Sequence, residues 1–264
     1  LTQGKVSEAF RFPSELRGAA ETAVVIGSGL SPDRWPGKVL AEVKYSGIEG
    51  MVVPSIEGHP GKLILLDTGG GKAAGDRLLV FAGRVHFYEG KGWDGAGGTV
   101  AAAASLGCRR VILTQAAGSL KRSLPVGSWM LPTGIVALPW SIPRERSPAN
   151  PVISPRLRAK VSSAAAEIGL EIAEGILYWT AGPLYETPAE AEAAVLMGAD
   201  AATMSPLPEL AAAAAKGLEA VCLSYMTNFA PNVTIGATSH MEVLDAGRKG
   251  SETLSHLLPY LAKV

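Results

Sequence analysis

Six short runs along the chain are almost wholly apolar: 23–26, 63–67, 78–81, 111–114, 175–180 and 220–225. Each has the length of a strand, and unbroken apolarity, in place of alternation, is the pattern of a strand covered on both faces. Longer Ala-rich segments separate them, and 99–106, 155–168, 188–197, 206–216 and 239–261 read as helices. Pro155, Pro188 and Pro206 stand at predicted first helical positions, where a fixed φ and a missing N–H are well tolerated. The alternation predicts an α/β fold, a mixed β-sheet flanked by helices in a single domain over residues 1–264. The proline-dense stretch 138–155 reads as an irregular surface connection or edge.

At 264 residues the chain sits near the upper limit for one hydrophobic core, and 47% apolar against 18% charged residues excludes a disordered chain. Lys plus Arg and Asp plus Glu both number 24. With zero net charge there is no global basic field to recruit nucleic acid or anionic lipid, so any anion must be held by a local site. No apolar run approaches the ~18 residues that would span a bilayer, and the first residues lack the apolar stretch of a signal peptide. Cys108 and Cys222 lie far apart in apolar runs, which suits buried free thiols in a reducing cytoplasm. The four histidines show no metal-ligand spacing, so no metal is expected.

Glycines gather where strands are expected to end, at Gly27, Gly29, Gly83, Gly118 and Gly182. Ligands of open α/β sheets bind beyond strand carboxyl ends, so chemistry is sought there. VVIGSGL (24–30) runs a buried strand into a Gly-Ser-Gly turn. Asp33 occupies the place of the third dinucleotide-binding glycine and no P-loop lysine follows, which disfavours a dehydrogenase; a phosphate-holding turn and a plain structural turn both fit. In AGRVHFYEG (82–90), an extended chain would put Arg84, His86 and Tyr88 on one side, a guanidinium fork and an imidazole suited to phosphate. A solvated edge with an Arg–Glu pair is the alternative. LTQAAGSL (113–120) offers small residues that let a flat ring or an anion approach the main chain, or else pack tightly.

Glu186, between Tyr185 and Thr187, stands at a strand mouth just before a helix. It can accept hydrogen bonds from ring N–H groups while Tyr185 stacks on the ring, or it can cap the helix. Met204 supplies an apolar wall and Ser205 a hydroxyl, and Asn228 at a strand end offers one donor and one acceptor, the pairing that reads a heterocycle edge.

In this order and spacing, GSGL, GRVHFYEG, TQAAGSL, GPLYETPAE, GADAATMSPLPE and MTNFA resemble the trimeric purine nucleoside phosphorylases, over most of the chain from about Val24 to the last helix. The resemblance implies a phosphate site of Ser28, His59, Arg84, His86, Ser205 and the backbone near Ala116. It implies ribose contacts from Tyr88, Met204 and His240, and a base pocket of Ala117, Gly118, Tyr185, Glu186 and Asn228. His86, Glu186 and Asn228 would carry catalysis. The implied reaction is reversible phosphorolysis of 6-oxopurine nucleosides such as inosine and guanosine, in cytoplasmic purine salvage, by a homotrimer that uses phosphate as co-substrate and no further cofactor. Two alternatives are a methylthioadenosine phosphorylase, whose family carries Asp in the place of Asn228, and a purine nucleoside-binding protein without turnover. The chain departs from the family pattern at 133–155, where a polar pair is missing and Trp140 is the candidate for an aromatic donated across subunits; Gln115 and Ser119 replace the commoner Asn and Gly.

Overall fold

The computed structural model describes residues 10–69, 76–138, 152–234 and 240–264. Among them, nine strands share one sheet: β1 (Thr22–Ile26), β2 (Lys38–Lys44), β3 (Lys62–Asp67), β4 (Arg77–Ala82), β5 (Arg110–Ser119), β6 (Trp129–Ala137), β7 (Ile172–Trp179), β8 (Ala201–Thr203) and β9 (Glu219–Phe229). Six helices flank it: α1 (Gly92–Ala96), α2 (Gly98–Ser105), α3 (Pro155–Glu167), α4 (Pro188–Leu196), α5 (Leu207–Lys216) and α6 (His240–Leu261). The strand order is β2-β3-β4-β1-β5-β8-β7-β6-β9, and β5 also pairs with β9. Strands β5, β8, β7, β6 and β9 therefore close into a ring, from which β1, β4, β3 and β2 extend as an open sheet.

All six apolar runs are strands, and each of the five residues of β1 is buried, as two-sided coverage requires. Parallel pairing of β4, β1, β5 and β9 brings the carboxyl ends of four strands to one edge. Three strands and one short helix, β2, β6, β8 and α1, were not predicted. The helix expected from 206 starts at Leu207, with Pro206 as the residue before it, at φ −113°. Helices α3 and α4 do begin on proline, and each is capped by the preceding hydroxyl: Ser154 Oγ accepts from Leu157 N at 3.1 Å and Thr187 Oγ1 from Glu190 N at 3.3 Å. Trp140, Ser239 and most of the 138–155 connection lie outside the described residues.

Two features of the packing prepare the site. Phe87, Trp93 and Trp179 meet with ring centroids 5.8, 5.9 and 6.2 Å apart, an aromatic cluster that anchors the turn after β4. In the β5–β9 ladder, Ala117 pairs with Met226 but Gly118 with Asn228, so Thr227 is an extra residue. Consecutive strand residues ordinarily face opposite sides, and a bulge breaks that rule locally. Cys108 and Cys222 are buried and free. No helix among the described residues is long and apolar enough to cross a membrane.

Candidate active site

Beyond the ends of β1, β5 and β9, and walled by the segments that follow β4, β7 and β8, lies a cleft that opens to solvent. Ser28, His86 and Ser205, all buried, line this cleft. Ser28 Oγ sits 2.9 Å from His59 Nε2, while His59 Nδ1 accepts from the Arg84 backbone N–H at 3.3 Å. An accepting Nδ1 leaves the ring proton on Nε2, which donates to Ser28. Burial, reinforced by the charges of His86 and Arg84, pushes the His59 pKa far down, so the ring is neutral in the resting site.

Glu89 ties this part of the site together. Its carboxylate accepts from His86 N at 2.6 Å and from Ser55 N and Oγ at 2.6 and 2.7 Å, clasping the 55–59 loop to the segment after β4. Burial raises its pKa, but the hydrogen bonds from His86 and Ser55 outweigh that and bring it down to about 2. His86 itself is lowered, by burial against the opposing pull of Glu89, and its ring stacks on Tyr88 at 4.9 Å and 12°.

The expected convergence of Arg84, His86 and Tyr88 by strand alternation needs correcting. Strand β4 stops at Ala82, and Phe87–Glu89 form a single 3₁₀ turn, so the chain is not extended here. His86 and Tyr88 reach the cleft wall, whereas Arg84 turns beneath it and is 1% exposed. Its Nη2 donates to Thr114 O at 2.7 Å and Val25 O at 3.3 Å. The solvated-edge alternative fails as well, because this arginine is among the most buried side chains of the protein.

Tyr88 and Met204 also line the cleft, with the Met204 carbonyl held by Trp179 Nε1 at 3.2 Å. Gly182 lies against both. At φ +68° it occupies the left-handed region, and a Cβ there would come within 2.5 Å of Tyr88 Cδ1 and 2.7 Å of Met204 Sδ. Gly182→Ala is expected to destabilise by about 1–3 kcal/mol and to raise the nucleoside KM, read by thermal unfolding and steady-state kinetics. His240, at the start of α6, closes this region with Nε2 3.0 Å from Glu57 O.

The helix-cap reading of Glu186 is overturned. Thr187 is the cap residue, and Glu190 returns the capping-box contacts to Thr187 N and Oγ1, both at 2.8 Å. Glu186 faces the cleft, its Oε1 accepting from Thr180 Oγ1 at 3.1 Å. Burial raises its pKa against that hydrogen bond and one from its own backbone. Tyr185, 41% exposed, stands at the mouth. Asn228 Oδ1 accepts from Thr227 Oγ1 at 2.9 Å, and Nδ2 donates to Phe229 O at 3.1 Å. The bulge lets both Thr227 and Asn228 line the cleft, beside Ala116, Ala117 and Gly118.

Sequence reasoning passed over Thr203 and Thr227, and treated Gln115 only as a departure, although all three line the cleft. Thr203 is a bracket: its Oγ1 donates to Ala116 O at 3.1 Å and accepts from Ser205 N at 3.2 Å. Gln115 Nε2 donates to Ser224 Oγ at 2.7 Å. Each adjoins a residue already singled out or lies within two positions of one, which was the available signal. Among the described residues no cluster of three or more His, Cys, Asp or Glu side chains could hold a metal ion.

The family model for the phosphorylase superfamily matches residues 84–262. The purine nucleoside phosphorylase of Mycobacterium tuberculosis is 36% identical over 245 residues, spanning 91% of this chain and 88% of that relative. The chain belongs to the purine nucleoside phosphorylase family. The fold agrees with membership: a Schistosoma mansoni purine nucleoside phosphorylase solved in complex with inosine aligns with a TM-score of 0.75 at 25% identity, covering 93% of this chain and 90% of that one. The S. mansoni enzyme solved with adenosine aligns at 0.76 and 26%, covering 93% and 91%.

Proposed function

We propose that the chain catalyses reversible phosphorolysis of 6-oxopurine ribo- and deoxyribonucleosides, inosine and guanosine among them, to the free base and (deoxy)ribose 1-phosphate. The observation that carries this reading is one cleft lined by Ser28, His86 and Ser205 together with Glu186 and Asn228. Family membership supports it.

A phosphate oxygen attacks C1′ of the sugar as the C1′–N9 bond breaks, and the bonding electrons leave with the purine, through a transition state of oxocarbenium character. Phosphate is itself the nucleophile, so the protein's task is placement and charge stabilisation. Ser28, His86, Ser205 and the Ala116 backbone hold the anion, with His59 and Arg84 behind them. Tyr88 and Met204 flank the ribose, and His240 reaches toward the 5′-hydroxyl. Asn228 turns its N–H to the purine N7 or O6 as negative charge arrives there, and Glu186 accepts from N1–H and from a 2-amino group. Adenine reverses the polarity at N1 and position 6, leaving Glu186 opposite an acceptor, and unpaired buried polar groups are the source of strong discrimination. Selectivity, not mere binding, is the quantity to measure, since the S. mansoni relative was solved with adenosine as well.

The reaction needs no resident cofactor. The test is release of base from inosine, guanosine, adenosine and methylthioadenosine, each with and without phosphate, before and after dialysis against EDTA. Phosphate-dependent turnover favouring inosine and guanosine, within about twofold after EDTA, is expected; selective methylthioadenosine cleavage or binding without turnover would replace this reading. The reading extends to a cytoplasmic homotrimer in purine salvage, supported by the family resemblance, and sedimentation of the purified protein tests the trimer.

A further inference from the structure

Glu209 is the third residue of α5, four positions after cleft-lining Ser205, and is 2% exposed. Its Oε1 accepts from Thr99 Oγ1 of α2 at 3.3 Å and lies 3.3 Å from Arg84 Nε. The carboxylate does not line the cleft, and the proposed chemistry has no step for it. A charge at this depth is costly unless it is paired, so its position calls for a reason.

The guanidinium supplies one. Nη2 of Arg84 is held by Val25 O and Thr114 O, the carbonyls that precede Gly27–Ser28 and Gln115–Ala116, and those four residues line the cleft. Nε and Nη1 are both buried without a hydrogen-bond partner, the contact of Nε with Glu209 being an ion pair only. A buried guanidinium donor left without an acceptor is uncommon and fits a site completed by an incoming anion.

We infer that Glu209 is a positioning residue for phosphate: it fixes the Arg84 guanidinium beneath the anion end of the cleft and, when ionised, competes with the arriving dianion for that guanidinium's charge. The inference rests on the phosphate site proposed above. Burial raises the Glu209 pKa to about 7, against the opposing charge of Arg84 and the hydrogen bond from Thr99. The ionised fraction of the carboxyl therefore grows between pH 6 and pH 8, and the competition grows with it. Besides Arg84, the titratable groups that feel Glu209 are Tyr45, whose hydroxyl donates to Gly83 O at 2.8 Å, and Cys222 of β9. Burial lifts both well above pH 8, so neither titrates in this window. His59 and His86, on the other side of Arg84, are the same in wild type and variant.

The experiment measures KM for phosphate and kcat at saturating inosine, at pH 6 and pH 8, for wild type, Glu209→Gln and Glu209→Ala, with hypoxanthine affinity as a control on the base end. Glutamine keeps the shape and an acceptor for Thr99 but carries no charge. Its phosphate KM should fall further below wild type at pH 8 than at pH 6, the Gln-to-wild-type ratio changing by about fivefold between the two. Phosphate's own ionisation cancels in that ratio. Alanine removes the support, and its phosphate KM should exceed that of the glutamine variant by about tenfold at both pH values, with hypoxanthine affinity unchanged in both variants.

A Gln-to-wild-type ratio that is the same at pH 6 and pH 8 overturns the competition, and alanine behaving like glutamine overturns the positioning. If the alanine variant does not fold, the glutamine ratio decides alone. Release of hypoxanthine by the wild type without phosphate would instead remove the phosphate site itself, and this inference with it.

Discussion

Glu186→Ala lowers kcat/KM for inosine by about two orders of magnitude or more, while the thermal unfolding midpoint stays close to wild type. The two halves of this expected result come from different parts of the structure. Glu186 lies on the segment between β7 and α4, where the helix cap belongs to Thr187, and its carboxylate is received by Thr180. Removing it leaves helix α4 capped and one partly buried threonine hydroxyl free to turn, so the stability change should stay within about 1 kcal/mol. The kinetic half follows from what the carboxylate faces. In the proposed complex it is the acceptor for N1–H, and without it that donor would be buried with no partner just as charge builds on the leaving base. Steady-state kinetics with inosine and a thermal melt check the pair. An undiminished rate would return Glu186 to a purely structural role and take the base-site assignment with it.

The second large effect is a change of preference. For Asn228→Asp, the ratio of kcat/KM for inosine to that for adenosine is expected to fall by about 10²-fold or more, with 6-oxo activity dropping and 6-amino activity rising relative to it. The amide donates from Nδ2 to Phe229 O and accepts at Oδ1 from Thr227. A carboxylate can still accept from Thr227, but its second oxygen would sit against the Phe229 carbonyl where an N–H now points. It is driven to turn toward a donor, and the 6-amino group of adenine is one. The rearrangement should also destabilise the unliganded protein by about 1–3 kcal/mol. Competition assays with the two nucleosides in one vessel read the preference directly; an unaltered ratio would show that the amide is not the selector.

What could be read from the amino-acid order, and what could not, divides along the range of the interactions involved. Strands β1, β3, β4 and β9 are covered on both faces and so announce themselves as unbroken apolar runs. Strand β2 is a mostly exposed edge, KVLAEVK, with charges at both ends. Strand β6 carries Pro132 and Gly134 around an irregular register, so residues that usually mark turns hide it, and β8 is only three residues long. Closure of the five-strand ring depends on Trp129 and Met130 pairing with Tyr225 and Ser224, which no local pattern reports.

The site follows the same division. Ser28, Ser205, Glu186 and Asn228 stand beside the turns and strand ends where chemistry was sought, and all four line the cleft. The inward turn of Arg84 was not legible, because it depends on Glu209, Val25 and Thr114, each supplied by a distant stretch of chain. The Glu89 clasp on Ser55 and the support of Glu186 by Thr180 were missed for the same reason: each is a single side-chain distance with no periodicity behind it.

The extra residue at Thr227 gives this stretch of the ladder one hydroxyl more than pairing requires. Excising that one position would restore a regular ladder with the amide still opposite Gly118, but would take away the hydroxyl that its Oδ1 accepts from. A tidier strand would then hold its amide more loosely, so in the proposed reading an irregularity that weakens the sheet locally is what steadies the group facing the purine edge.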